Sequence, residues 1–177
     1  NEITLKNGQK GIIRNGTFED GPEVSTFFTT THGETDYLLS YPEESTRDDE
    51  KQSNYLKETT ESDREIELLA IVDGKVVGMA GFNAIGSKYK VRHRAEFGIT
   101  VSKNYWGQGI GKAIMNACIE CAKEAGYIQL ELDVVADNTR AIELYKKLGF
   151  IEFGRNPKGF QSKYSGFQEL VYMRLEL

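Results

Sequence analysis

Little in this chain of 177 residues interrupts folding or marks an unusual environment. It has only three prolines and no low-complexity tract, so the composition excludes a disordered or extended polypeptide. No apolar run approaches the ~20 residues that cross a bilayer. The first residues, Asn1, Glu2, Ile3 and Thr4, lack the basic and apolar regions of a signal peptide. Both absences point to a cytoplasmic protein without a membrane partner. There are two cysteines, Cys118 and Cys121, and no second pair or neighbouring histidines complete a zinc site. They read as small core residues, and no metal is expected. Positive charge is also scarce: the formal net charge of -5 argues against a nucleic-acid partner, because phosphate binding draws on an excess of Lys and Arg.

What is present fits one soluble globular domain spanning residues 1–177, with 39% hydrophobic and 28% charged residues. The charge is uneven. Between Glu34 and Glu67 twelve acidic residues face four basic ones, a local balance of -8. This stretch reads as a solvated acidic surface, with a rim that attracts a cationic substrate as the alternative.

Lys10 to Arg14 forms a short strand candidate, and Asp20-Gly21-Pro22 opens a helix with Val24, Phe27 and Phe28 on one face. A second helix is expected from about Thr46, where Asp48, Asp49 and Glu50 suit a helix N-terminus, to near Glu61. Leu68 to Val72 and Val76 to Ala80 flank Asp73-Gly74, a hairpin signal. Arg94 to Val101 reads as a strand, followed by a glycine-rich turn and a helix carrying Ile114, Cys118, Cys121, Ala122 and Ala125 up to Gly126. Gln129 to Val135 is a further strand. Asn138 caps a helix with Ala141, Leu144, Tyr145 and Leu148 on one face, ended by Gly149. Phe150 to Phe153 and Leu170 to Leu175 are closing strands. The strand and helix alternation between residues 94 and 153 indicates an α/β layer with at least one parallel pair.

The most informative stretch is Trp106-Gly107-Gln108-Gly109-Ile110-Gly111-Lys112-Ala113, where a strand turns into a helix. Alternate glycines let the backbone approach a ligand closely, and the first helical turn offers unpaired N–H groups at the positive end of the dipole. Such a turn suits phosphate. An ATP-type loop is excluded, because Trp106 stands at its first glycine and Ala113 at its magnesium-binding hydroxyl. A dinucleotide fingerprint is excluded too, since Lys112 occupies the position of its third glycine.

The run from Glu96 to Gly154 resembles the core of the GNAT superfamily of acyl-CoA N-acyltransferases. The matching pieces are Phe97-Gly98-Ile99-Thr100-Val101, then Gly107 to Ala113, then Asn138-Thr139-Arg140-Ala141 leading to Leu144-Tyr145-Lys146-Lys147-Leu148-Gly149-Phe150. The resemblance implies an α/β domain whose central mixed, largely antiparallel sheet is flanked by helices and splayed at the acyl-CoA site. It implies an acyl-CoA-binding core at about 94–154 and acceptor-pocket elements at about 1–65. It implies acetyl-CoA as cosubstrate, held by the backbone at Ile99 and Val101, by the turn of Gly107, Gln108, Gly109, Ile110, Gly111 and Lys112, and by Asn138. Trp106 departs from the family, which commonly places Gln or Arg there, so the phosphate contacts are expected mainly from backbone N–H groups.

The resemblance further implies Tyr145 as proton donor to the departing thiolate and Glu96 as a base acting through water. Plainer roles stand beside these: Tyr145 as core packing, Glu96 as a surface carboxylate paired with Lys90, Arg92 or Arg94, and Asn138 as a helix cap alone. His93, in the run of Lys88, Lys90, Arg92 and Arg94, reads as an exposed polar residue, with a base role suited to its intrinsic pKa as the alternative. The implied reaction is transfer of an acetyl group to a primary amine of a small molecule or a protein N-terminus, by direct attack in a ternary complex. The alternative is a CoA-binding module without catalysis. Dimers are common in the families that the chain resembles, so a homodimer is compatible with the reading.

Overall fold

The computed structural model describes residues 1–45 and 47–177. Eight strands form one sheet: β1 (Glu2–Thr4), β2 (Lys10–Asn15), β3 (Ile66–Val72), β4 (Lys75–Ala84), β5 (Arg94–Val101), β6 (Gln129–Val135), β7 (Ile151–Ser162) and β8 (Gly166–Glu176). Their spatial order is β1-β2-β3-β4-β5-β6-β8-β7. Every neighbouring pair is antiparallel except β5 and β6, the parallel pair that the crossover between them requires.

Among the described residues four α-helices cover the faces: α1 (Gly21–Glu34), α2 (Asp49–Glu61), α3 (Ile110–Glu124) and α4 (Thr139–Lys147). Alternation along the strands divides the core. Leu68, Ala70, Phe82, Ala95, Phe97 and Leu132 pack with Ile114, Met115 and Cys118 of α3 and Tyr145 of α4. On the opposite face Leu69 and Val76 pack with Val24 and Phe27 of α1 and Leu56 of α2. The two-sided burial explains why β3 is apolar almost throughout. Both faces of the central strands are covered, so this is a single α/β layer domain of the mixed, largely antiparallel kind.

The structure departs from the sequence expectations at three places. Helix α2 starts at Asp49, with the Asp48 carboxylate accepting from Lys51 N at 2.8 Å as its cap. Thr46 lies outside the described residues. The closing strands are longer than expected, because β7 runs on through Asn156, Pro157 and Gly159, residues that read as breakers, with an irregular register that absorbs them. The three residues of β1 carry too little pattern to be seen in advance.

Candidate acyl-transfer site

β5 and β6 hold register only over Arg94–Glu96 against Gln129–Glu131. Beyond that point β5 follows β4 to the pair Val101 and Gly78, while β6 follows β8 to the pair Val135 and Leu170. The sheet therefore opens into a gap, with Glu96 at its fork. Ser102 N donates to Val77 O at 2.9 Å and Ile85 N to Arg94 O at 3.2 Å, so the even-numbered residues of β5 direct their backbone groups to β4. Ile99 and Val101 direct theirs into the gap. The Val101 carbonyl accepts from the Trp106 indole at 2.7 Å, which leaves the Ile99 pair and the Val101 N–H.

At the open end the chain turns from β5 into α3. Gly107 has φ 75° and Gly109 φ 93°, left-handed values that favour glycine, and Gly109 is the N-cap without a side-chain cap. The first intrahelical bond is Ala113 N to Gly109 O at 3.1 Å, so the N–H groups of Ile110, Gly111 and Lys112 have no helical partner. Ile110 is buried and Lys112 exposed, hence the cradle is made of backbone. A Cβ on Gly111 would meet Leu144 at 3.1 Å, so this glycine also lets α4 lie against α3. Gln108 is held by the N-terminal turn, its carbonyl accepting from Lys6 N and its side-chain oxygen from Asn7 N, both at 3.1 Å.

Arg140, which the sequence reading did not single out, stacks its guanidinium 3.5 Å over the Trp106 ring. A cation from α4 thus returns to the place where Trp106 departs from the family. The two are far apart in sequence, and no local pattern announces the pairing. The Asn138 side chain accepts from Ala141 N at 3.4 Å, so it caps α4, and among the described residues its amide N–H groups have no partner.

Tyr145 lies in the core with its ring tilted against Phe150 at 5.8 Å, and burial pushes its phenol well above the ordinary tyrosine range. Among the described residues its hydroxyl has no hydrogen-bond partner, yet Ser25 Oγ is the one unpartnered side-chain atom that is fully buried. The phenol oxygen therefore keeps some solvent access. Glu96 is exposed as a residue, yet its carboxyl is partly shielded from water, and this desolvation, then Asp133 and Glu131, raise its pKa. Arg94 does not pair with it, because two bonds of 2.5 and 2.6 Å commit that guanidinium to Glu131. His93 stands at the closed end of β5, where its carbonyl accepts from Ile128 N, and lines a cavity of about 440 Å³ with Arg64 and Arg92.

A second cavity, about 360 Å³, lies between the end of α1 and the β7–β8 hairpin and is lined by His32, Glu34, Asp36, Tyr41, Glu43 and Tyr164. Glu34 accepts from Lys103 N at 2.6 Å just past β5, and Asp36 accepts from Tyr41 and from Ser162 and Ser165 of the hairpin. The acidic segment is thus tied to the gap at one end and to the hairpin at the other. A further carboxyl missed in the sequence is Glu67, which Tyr55 contacts from α2.

A splayed pair of central strands lies beside an uncapped, glycine-built helix start, within a mixed, largely antiparallel α/β sheet. Residues 31–150 match the family described as Acetyltransferase (GNAT) family, and the chain belongs to it. It is 32% identical over 108 residues to the L-amino acid N-acetyltransferase AaaT of Escherichia coli, covering 60% of this chain and 65% of that relative. This chain thus spans just under two-thirds of the relative's length. Among solved structures, the acetyltransferase of GNAT family from Streptococcus pneumoniae is 28% identical with a TM-score of 0.90, covering 94% of this chain and 99% of that one. The structure of yncA from Salmonella typhimurium with its cofactor acetyl-CoA shares the fold, at 21% identity, a TM-score of 0.83 and 94% coverage of each chain.

Proposed function

We propose that this chain is an N-acetyltransferase that moves the acetyl group of acetyl-CoA to a primary amine of a small molecule or a protein N-terminus. The observation that carries this reading is the loss of pairing between β5 and β6 after Glu96, directly beside the free N–H groups of Ile110, Gly111 and Lys112. The order of these features along the chain suits a linear ligand, with a pyrophosphate at the helix start and a thiol-bearing arm along β5. Ile99 and Val101 offer backbone groups to that arm, Asn138 its amide, and Arg140 a cation beside the phosphates.

Attack by the amine nitrogen forms the C–N bond and expels the thiolate. The phenol of Tyr145, kept neutral by burial, donates a hydrogen bond to the sulfur as charge develops there. Glu96 at the fork relays the amine proton through water. Transfer is direct: Cys118 is buried with its thiol pushed up, which leaves it a poor nucleophile for an acetyl-enzyme. The relative named for L-amino acid acetylation supports a small α-amine, for which deprotonation at neutral pH costs only about 1 kcal/mol against about 4 to 5 kcal/mol for a lysine-like amine. The test is release of CoA from acetyl-CoA across a panel of amino acids, polyamines and peptides. Amine-dependent release supports the reading, and binding of acetyl-CoA without release to any amine supports a CoA-binding module instead.

A further inference from the structure

Glu67 lies on the same face of the sheet as Glu96, two strands away. Its strand partner on β4 is Gly81, and the partner of Gly81 is Gly98 on β5, the strand that borders the gap, so the path from the carboxyl to that strand crosses only glycine. Glycine inside a central strand is unfavourable unless something approaches the backbone closely. At Gly81 a Cβ would run into the Ile66 carbonyl of β3 and would also stand 3.1 Å from both Glu67 carboxylate oxygens, so the carboxyl lies directly over this glycine. A Cβ on Gly98 would meet nothing within 4 Å. Glu67 therefore reaches across Gly81 toward an open hollow floored by Gly98, and Glu96 precedes that hollow on β5.

The carboxyl is held in this pose. Tyr55 of α2 donates its hydroxyl to Oε2 at 3.2 Å, and the Arg47 guanidinium stacks 3.8 Å over the Tyr55 ring. Oε1 has no partner among the described residues. On the β2 side Gly16 N donates to the Glu67 carbonyl at 2.9 Å, and Arg14 and Asp20 are closed on each other. Cys118 of α3 faces it from beyond the sheet. Burial raises the carboxyl to about 7, against the lowering effects of Tyr55 and Arg47. That places it near the range in which a general base works best at neutral pH.

Acetylation of an ammonium must remove two protons from nitrogen, one before attack and one as the C–N bond forms. A single relay at Glu96 accounts for one. We propose that Glu67, positioned by Tyr55, takes the first proton from the acceptor's ammonium at the Gly98 hollow, leaving Glu96 to relay the second. In this step the ammonium N–H bond breaks, the proton passes to the Glu67 carboxylate and the nitrogen keeps the electron pair with which it attacks the thioester carbon. The proposal rests on the acyl-transfer reading.

The test follows kcat/KM against pH with acetyl-CoA and the fastest amine of a panel of L-amino acids, L-amino acid amides, alkylamines and polyamines. The wild type is expected to show an acidic limb with a midpoint near 7. Glu67→Gln is expected to lose at least about tenfold at pH 7, to move the limb to the amine's own pKa, and to bind acetyl-CoA as the wild type does. Glu96→Gln keeps the limb near its wild-type position. Tyr55→Phe, which removes a hydrogen bond to the carboxylate, moves the limb upward and serves if Glu67→Gln does not fold. Gly98→Ala adds a methyl in open space, so it folds, but it lowers kcat/KM for the amine without changing acetyl-CoA affinity. A wild-type pH profile in Glu67→Gln, or a loss independent of pH, overturns the proposal. Failure of the wild type to release CoA with any amine overturns the acyl-transfer reading itself.

Discussion

The buried carboxyl of Glu67 has a consequence for stability that needs no substrate. Its ordinary pKa of 4.5 applies in the unfolded chain, and burial raises it to about 7 in the folded one. Below pH 4.5 both states are protonated and the carboxyl costs nothing. Between there and pH 7 the unfolded chain ionises first, so stability falls as pH rises, and it levels off above the folded pKa. The full difference corresponds to about 3 kcal/mol at about 1.4 kcal/mol per pKa unit, and solvent reaching the hollow reduces it to about 1–3 kcal/mol. Gln at this position keeps an oxygen for the Tyr55 hydroxyl but does not titrate. The difference in Tm between Glu67→Gln and the wild type is therefore expected to grow in favour of the variant from pH 5 to pH 8, by about 2–12 °C at about 2–4 °C per kcal/mol. Tyr55 and Cys118, which feel the Glu67 charge, are both raised and titrate well above pH 8, and the remaining groups cancel. Calorimetry at several pH values reads this directly, and a difference that stays flat with pH refutes the reasoning.

Other expectations test the remaining parts of the site. Tyr145→Phe keeps the ring against Phe150, so acetyl-CoA affinity and Tm should change little while kcat falls at least about tenfold; full kcat where chemistry limits turnover would make Tyr145 packing alone. Gly109→Val forces a branched side chain to φ 93° and should weaken acetyl-CoA binding in a folded protein, as read by titration; unchanged affinity would remove the turn from the account. Arg140→Ala removes the cation stacked on Trp106 and should weaken acetyl-CoA binding several-fold, less so at high salt, whereas equal affinity would show that Arg140 only packs.

The elements nearest the gap were the most legible in the sequence. β5 and β6 occur over the residues expected, because both are bounded by turn residues and buried on at least one face. The Asp73-Gly74 turn is visible for the same reason that it forms: both residues take positive φ, 50° and 76°, as a tight hairpin requires. The gap itself is not a property of any one segment. It arises because β5 and β6 keep different partners, and it entered the reading only through family resemblance. Glu67 was passed over because it abuts the apolar run of β3 and reads as a strand boundary. Its neighbourhood depends on Gly81 and Gly98 lying side by side across strands, which becomes visible only once register is known.

The central claim is that acetyl-CoA lies in the gap between β5 and β6 with its phosphates on the start of α3. Isothermal titration of the wild-type protein with acetyl-CoA, with ATP and NAD as controls, tests it most directly. The account predicts one acetyl-CoA bound per chain, with affinity reduced by Gly109→Val and far weaker binding of ATP and NAD. Absence of acetyl-CoA binding, or equal binding of ATP, would contradict it.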